Sequence, residues 1–510
     1  MTEDSFVSLL ASRAARGPQD VFATFNGTPI TFARLRQASD AIAAWLARRG
    51  LSRGERVAVM MRNSPDSIAV LYALAKTGLV WVPVNVQQQG EGLRYLLSQA
   101  EPALVLADVD FLPTIAACGL QQAPPIVASR DPAAAEDIAR VAARADSFEA
   151  PVPKADDLFA ISYTSGTTGR PKGVMVTHRM LAFAARGALL TSQARGGDVF
   201  FVWEPLYHIG GAQLIVIPLL CDVRLAMVDR LSVSRFWQQV GQCGATQIHY
   251  LGGLLQMLLK QPAAAHDRAH QVRVAWGAGL PAEYWQPFQD RFGIPVVECY
   301  GMTEASSFTT CNLAGVPGSV GQAVPWLSFD VRDPAGRPLA AGERGEIVVH
   351  ARQPGAVFAG YYRAPEPTAH ALRDGRLHTG DLGWRDDAGN LFFAGRMTDS
   401  LRVRGENVSA FDVEHAASSH PAVDAAAAIG VRADVGEQEI KLFIRLKPGA
   451  AAELADISAW LSTRLAKYQN PRYLALIDEL PYTPSQRVMK HLLPADVTGC
   501  YDRLHAAKTS

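Results

Sequence analysis

Apolar residues in this chain cluster in short unbroken runs, and the stretches between the runs carry apolar positions at helical spacing. Arg56-Val-Ala-Val-Met-Met61, Val80-Trp-Val-Pro-Val84 and Ala103-Leu-Val-Leu-Ala107 are three such runs. Between them Ser64-Pro65 opens a helix through Ala75, and Glu91 to Ala100 reads as another. Strands this continuously apolar are covered on both faces, and strand–helix alternation builds a parallel sheet. Ahead of them, residues 4–16 read as an amphipathic helix. Phe22 to Phe25 and Pro29 to Thr31 read as a hairpin around Asn26-Gly27, because Asn-Gly suits a tight turn, and Thr31 caps a helix through Leu46.

Residues 121–156, rich in Pro, Ala and Asp, read as a loosely packed connection. The alternation then resumes, with strands expected over 199–203, 246–251, 272–276 and 296–300. Ser232 or Ser234 is expected to cap a helix through Gln242, and a second helix runs through Lys260. From about 318 the pattern changes to short β-like runs and turns, as in a small antiparallel or barrel-like unit. After Arg396 it changes again, to helices over 411–420 and 455–465 and strands over 426–431 and 440–446. The expected fold is α/β: a large N-terminal domain, 1–397, of stacked α/β sheets plus a small β-barrel-like part, followed by a small mobile α+β C-terminal domain, 398–510. Internal repeats and low-complexity tails are absent from the sequence.

Composition narrows the function. The chain has 510 residues, enough for two to four domains, with 48% hydrophobic and 19% charged residues. Lys plus Arg and Asp plus Glu both number 49, so bulk charge gives no reason to expect a nucleic-acid partner. No apolar run is long enough to span a bilayer. The start, Met1-Thr-Glu-Asp-Ser-Phe, lacks the layout of a signal peptide. Cys118, Cys221, Cys243, Cys299, Cys311 and Cys500 have no metal-like spacing and read as reduced thiols of a cytoplasmic protein.

The chemistry centres on Tyr163-Thr-Ser-Gly-Thr-Thr-Gly-Arg-Pro-Lys-Gly173, between the apolar runs Leu158-Phe-Ala-Ile161 and Gly173-Val-Met-Val-Thr177. Glycines admit close backbone approach, N–H groups and hydroxyls donate, and Lys172 adds charge, a composition that cradles phosphate. It is not the common P-loop, since Lys172 is followed by glycine and a strand-like run. Other strand ends carry polar groups where open α/β sheets place ligands. Tyr300-Gly-Met-Thr-Glu304 offers a carboxylate for Mg²⁺, and Thr379-Gly-Asp381 one for a ribose diol. Tyr207-His208-Ile-Gly-Gly211 reads as a gate or a packing corner. Gly395-Arg-Met-Thr-Asp399 reads as a ligand-reaching arginine beside a linker. Trp203, Trp276, Phe308 and Trp326 are candidate aromatic surface, and Glu204 a candidate partner for a cation.

In this order the motifs resemble the adenylate-forming superfamily: acyl- and aryl-CoA synthetases, adenylation domains of peptide synthetases, and firefly-type luciferases. The resemblance runs from the Thr31-Phe32 region to about Leu493, and the Thr164–Lys172 loop is its most specific part. Within the group, Phe236-Trp237, Tyr300–Glu304, His378-Thr-Gly-Asp381 and Arg404-Gly-Glu-Asn-Val-Ser409 look most like CoA ligases of the crotonobetaine/carnitine-CoA ligase type. The resemblance implies that a carboxylic acid is activated by ATP as acyl-AMP and passed to CoA. Residues Thr164, Ser165, Gly166, Thr167, Thr168, Gly169 and Lys172 would hold the phosphates, with Thr164 and Glu304 at Mg²⁺. Gly277, Ala278, Gly279, Glu298, Cys299, Tyr300, Gly301, Met302 and Thr303 would frame the nucleotide, with Tyr300 on the adenine. Asp381 and Arg396 would take the ribose. His208, Gly253 and Gly277 would border the acyl pocket, and Arg404, Gly405 and Glu406 the CoA tunnel. Lys172, His208, Thr303, Glu304 and Arg487 are the catalytic candidates, and Thr398 the hinge. The implied partners are a small carboxylic acid and CoA or a carrier protein, with the chain a monomer or homodimer.

Two positions depart from the pattern. The family's C-terminal lysine falls in a run like Pro-x-Thr-x-Ser-Gly-Lys, which here reads Pro481-Tyr-Thr-Pro-Ser-Gln-Arg487. The usual acid or lysine at the hinge is Thr398. Arginine keeps the charge, but its planar fork does not reproduce a compact ammonium wedged between two oxygens. The loss of one charged contact, about 1.5–3 kcal/mol, slows adenylation roughly tenfold to more than a hundredfold. Two alternatives stay open beside the CoA ligase: an enzyme that loads a carrier-protein phosphopantetheine, and an impaired relative that binds acyl-adenylate.

Overall fold

The structure is a computed structural model. It describes residues 5–134, 136–164, 171–264, 267–397, 400–403, 406–432, 438–466, 469–483 and 488–505. Two large sheets dominate residues 21–323. One has six strands in the order Ile126–Ser129, Leu104–Asp108, Arg56–Met60, Val80–Pro83, Leu158–Thr164 and Lys172–Thr177. Its strands are parallel except the last, which pairs antiparallel with its neighbour. The other has nine strands, a parallel interior that includes Val199–Val202, Gln247–Leu251, Val274–Ala278 and Val296–Tyr300. Thr28–Thr31 on one flank and Thr310–Cys311 with Gln322–Ala323 on the other run antiparallel.

A shared core lies between the sheets. Trp81 and Phe159 come from the first, Phe200 and Trp276 from the second, and Ile68 to Ala75 and Met180 to Ala188 from helices packed between them. On the nine-stranded sheet the next residues along each strand, such as Ile248, Tyr250 and Ala275, face a second core on the opposite side. This period of two sorts side chains between the layers and fixes which of them face the site. The carboxyl ends of the two sheets are tied by Asn63, whose amide donates to the Glu204 carbonyl at 2.8 Å and accepts from Leu206 N at 3.0 Å.

Most expected elements are present, with informative differences. Residues 121–156 are not merely a connection. Ile126–Ser129 pairs parallel with Leu104–Asp108 as the sheet edge, and Asp137 caps the helix Ile138–Ala142 by accepting from Ala139 N. Neither Ser232 nor Ser234 caps a helix with its side chain: a short 3₁₀ turn, Val233–Arg235, leads into Phe236–Cys243 without a side-chain cap bond. The strand expected over 272–276 is Val274–Ala278, so it carries its pairing into Gly277. His178–Thr191 is a helix that the apolar runs do not announce, because its buried face includes His178, Gly187 and Thr191 beside its apolar residues.

Beyond the large sheets, Leu327–Arg332, Gly345–Ala351, Arg376–Arg385 and Leu372–Arg373 form an antiparallel sheet, with Leu391–Arg396 pairing onto Arg376–Arg385. A small C-terminal domain follows. Its four-stranded sheet joins Val423–Arg432, Gln438–Leu446, Tyr473–Leu476 and Tyr501–Asp502, and is packed by Ala410–Ser418 and Leu454–Ser462 around Val413, Leu442, Ile457 and Leu461. It meets the large domain through Phe411 edge-on to Phe393, Ser409 Oγ donating to the Ala394 carbonyl at 3.0 Å, and ion pairs Arg344–Asp412 and Lys260–Asp424. Among the described residues no helix is long and apolar enough to cross a membrane, and none of the six cysteines is in a disulfide.

Candidate active site

The site lies where strands end. Leu251 to Gly253, Gly277 to Gly279 and Tyr300 to Glu304 leave the same carboxyl edge of the nine-stranded sheet, because their strands are parallel neighbours. Gly277 is required by packing: a Cβ there falls inside contact distance of the Tyr250 carbonyl on the adjacent strand. Gly301 is required in the same way by the Ser307 carbonyl. Ala278 and Gly279 stand at the rim, and Gly252 N donates to the Ala278 carbonyl at 2.9 Å. The residue beside Gly279 is therefore Gly252, with Gly253 one place further out as the start of the helix Leu254–Lys260.

Tyr300, Asp381 and Arg396 converge. The Tyr300 hydroxyl donates to Asp381 Oδ2 at 2.7 Å, and Arg396 Nε lies 3.2 Å from Asp381 Oδ1. Asp381 and Arg396 face one another across an antiparallel pair. The turn that presents Asp381 is pinned by Thr379, whose hydroxyl donates to the Ile347 carbonyl at 2.7 Å and accepts from Asp381 N at 3.0 Å. Burial, and then the Asp381 carboxylate, push the Tyr300 phenol well above its ordinary range, so it remains a hydrogen-bond donor at working pH. Phe393 packs on one face of Tyr300, with ring centroids 5.9 Å apart.

Lys172, Tyr361 and Glu304 form a second cluster. Thr164 and Lys172 are opposed at the mouth of the antiparallel pair that carries the hydroxyl- and glycine-rich loop. The Tyr361 hydroxyl donates to Glu304 Oε1 at 2.9 Å, and Lys172 Nζ sits 5.3 Å from the Tyr361 ring centroid. Glu304 is buried, and burial raises its carboxyl above the ordinary range, while the Tyr361 bond and Arg396 act in the opposite direction. Thr303 and Met302 lie beside it, half-buried. Among the described residues no three metal-ligating side chains gather. A single carboxylate such as Glu304 is compatible with Mg²⁺, which keeps waters and binds through one or two carboxylates plus substrate phosphates.

Glu298 and Cys299 point elsewhere. The Glu298 carboxylate accepts from Gly279 N, from Leu280 N at 3.3 Å and from the Tyr250 hydroxyl, so it positions the Gly277–Gly279 turn from within the core. Cys299 is buried opposite Cys311 across an antiparallel pair. His208 precedes the short helix Ile209–Ala212, with its ring tilted against Tyr207 at 4.9 Å. Ser165, Gly166, Thr167, Thr168, Gly169, Thr398, Arg404, Gly405 and Arg487 lie outside the described residues; Glu406 opens the strand Glu406–Ser409, and only its backbone is described. Tyr361, Glu346 and His249 were not singled out in the sequence, and Glu204 was named only as a candidate partner for a cation. Glu346 accepts from His378 at 2.8 Å and from Gly380 N at 3.2 Å and so braces the Asp381 turn. The aromatic pair after Gly360 was the available signal for Tyr361.

Burial raises the Glu298 carboxyl from 4.5 to about 8, against the opposing effect of its Tyr250, Gly279 and Leu280 bonds. A carboxyl with a raised folded pKa favours folding most fully when protonated. Its contribution is intact below about 4.5 and lost as pH climbs through about 8. Glu298→Gln keeps an acceptor for both N–H groups and removes the titration. The expected result is a flatter dependence of melting temperature on pH between 5 and 8, with the variant gaining on the parent by several degrees at pH 8. Thermal melts at stepped pH check it.

Comparison with known proteins identifies the family. Residues 10–362 match the AMP-binding enzyme family, and residues 412–487 match the AMP-binding enzyme C-terminal domain. A crotonobetaine/carnitine–CoA ligase of Salmonella paratyphi C is 30% identical over 479 residues, covering 90% of this chain and 92% of the relative. One from Salmonella typhi is 31% identical over 460 residues, covering 86% and 88%. The ATP-bound crystal structure of MatB from Rhodopseudomonas palustris superposes with a TM-score of 0.87 at 28% identity, over 95% of this chain and 98% of that one. O-succinylbenzoate CoA synthetase of Bacillus subtilis, solved with its acyl-adenylate intermediate, shares the fold at a TM-score of 0.84 and 24% identity, over 96% and 98%. The chain belongs to the AMP-binding acyl-CoA ligase family.

Proposed function

We propose that Asp381, with Arg396 and Tyr300, receives the ribose of ATP, and that Lys172 and Glu304 serve its phosphate end. The observation that carries this is the convergence of Tyr300, Asp381 and Arg396 around one buried carboxylate. A carboxylate held by one phenol and one guanidinium keeps lone pairs for a diol. Lys172 and the Thr164–Gly169 loop meet the departing pyrophosphate, where charge develops. Thr164 and Glu304 would hold Mg²⁺, which would neutralise phosphate charge. His208 and Gly277 border the acid, and Gly277 to Thr303 frame the base. The acid's oxygen attacks the α-phosphorus, giving acyl-AMP and pyrophosphate, and the CoA thiol then displaces AMP. The small domain, 398–510, turns about Thr398 between the two steps, bringing Arg404, Gly405 and Glu406 to the CoA tunnel. CoA, rather than a carrier protein, is the acceptor, and the chain works in the cytoplasm as a monomer or homodimer.

Arg487 stands where the family carries lysine, so adenylation is slowed while nucleotide binding is kept. Arg487→Lys is expected to raise ATP–pyrophosphate exchange roughly tenfold or more with the same acid. An unchanged or lower exchange rate contradicts this reading.

A further inference from the structure

The acyl side of the site has a floor of unusual chemistry. Glu204, two residues past the strand Val199–Val202, is fully buried. Its Oε1 lies 2.6 Å from His249 Nδ1, and its Oε2 accepts from Trp203 N at 3.2 Å. His249 in turn stacks on Trp276, with ring centroids 4.2 Å apart and planes 28° apart. The His249 carbonyl accepts from the Trp203 indole at 2.9 Å. Glu204, His249 and Trp276 come from or just past three adjacent strands, with His249 and Trp276 side by side in one row; Trp276 faces the inter-sheet core, whereas Trp203 faces the opposite one. His249 is paired in register with Trp276, and Tyr250 with Gly277, so the row lies one residue beneath Gly277. One residue of strand is about 3.3 Å.

The row closes the space under Gly277. Trp276, the residue before Gly277, is fully buried, with Phe200, His249 and Phe308 as ring neighbours. Across the gap, a Cβ added to Gly210 would lie 3.5 Å from Leu251 Cδ1 and 3.6 Å from His249 Cε1, ordinary contact distances, so about one methyl group fits between the His208 turn and the strand. Glu204 does not present a bare carboxylate to a cation, because it is fully buried with His249 Nδ1 2.6 Å from its Oε1. With Glu204 Oε1 2.6 Å from Nδ1, Nε2 is the ring nitrogen able to meet a ligand. That nitrogen accepts when the ring is neutral and donates when it is protonated, and a hydroxyl satisfies either state.

We infer that His249 and Trp276 form the end wall of the acyl pocket, and that His249, positioned by Glu204, selects a short acid bearing a hydroxyl at its far end. This rests on the AMP-site reading above and adds the substrate class to it. A long unbranched acyl chain finds no room beneath Gly277, and a fixed positive charge finds no exposed carboxylate.

The test is calorimetric binding of non-hydrolysable acyl-sulfamoyl adenosines to the full chain. The probes are the unacylated nucleoside and its pentanoyl, 4-hydroxybutanoyl and octanoyl derivatives. The unmodified protein is expected to bind 4-hydroxybutanoyl about tenfold tighter than its isostere pentanoyl, and octanoyl about tenfold more weakly than pentanoyl. His249→Leu brings the hydroxyl preference to about one. Glu204→Leu does the same, whereas Glu204→Gln, which keeps an oxygen beside Nδ1, retains most of it. Trp276→Ala, or Trp276→Phe if the alanine variant does not fold, narrows the octanoyl penalty. Equal binding of octanoyl and pentanoyl by the unmodified protein overturns the end wall. A hydroxyl preference that survives His249→Leu, or is absent from the start, overturns the selection. In both cases the unacylated nucleoside still binds. If it too fails to bind, the AMP-site reading falls and this inference with it.

Discussion

Asp381→Ala is expected to lower kcat/KM for ATP by roughly a hundred- to a thousandfold while leaving the chain folded. The carboxylate is buried and serves three parties at once: the Tyr300 hydroxyl at 2.7 Å, Arg396 at 3.2 Å and, in the proposed complex, the ribose. A hydrogen bond to a charged group contributes about 1.5–3 kcal/mol, so losing the diol contacts alone gives an effect of this order. Truncation also leaves the Tyr300 hydroxyl unsatisfied and Arg396 without its counter-ion, which adds to the loss. Asp381→Asn keeps an acceptor for Tyr300 and removes the charge that orients Arg396, and is expected to fall between parent and alanine variant. Initial rates at varied ATP, with circular dichroism to confirm folding, check both. An unchanged KM and kcat for ATP in Asp381→Ala contradicts the ribose assignment.

Gly277→Ala is expected to abolish measurable turnover and to cost about 3 kcal/mol of stability. The new methyl collides with the Tyr250 carbonyl, which is backbone and cannot rotate away. The only relief is to push apart the neighbouring strands that pair at Tyr250 and Gly277. That movement carries Ala278 and Gly279 with it, along with the Glu298 bonds that hold the turn. Gly253→Ala is the control on the same rim, because a Cβ there meets only the Gln256 side chain, at 3.9 Å. Its melting temperature is expected to stay close to that of the parent. Paired thermal melts and exchange assays check the contrast, and equal behaviour of the two variants contradicts the packing account.

The large sheets were readable because their strands are apolar on both faces and bounded by glycine or capped helices. Val199–Val202 and Val296–Tyr300 fall where their runs predict. Thr310–Cys311 and Gln322–Ala323 were not readable, since two residues carry no period. Ile126–Ser129 was hidden by the Pro and Ala around it and exists through its pairing with Leu104–Asp108. The same distinction runs through the site. Tyr300, Asp381 and Arg396 could be named because each stands in a local motif, and the fold brings them together. Tyr361 lies 57 residues from the Glu304 that it holds, and only tertiary contact connects them. Glu204 was read only as a candidate partner for a cation, and His249 only as part of a strand. Their pairing depends on adjacent strands that are distant in sequence, and it changes Glu204 from a candidate cation partner into the support of an imidazole.

The most direct measurement is product analysis after incubation with ATP, Mg²⁺, CoA and a panel of short carboxylic acids, followed by nucleotide chromatography and mass spectrometry of the thioester. The account predicts AMP, pyrophosphate and acyl-CoA in equal amounts, dependent on the acid and strongest for short hydroxy acids, with a higher rate in Arg487→Lys. Formation of ADP and phosphate, or no AMP from any acid in either the parent or Arg487→Lys, contradicts it.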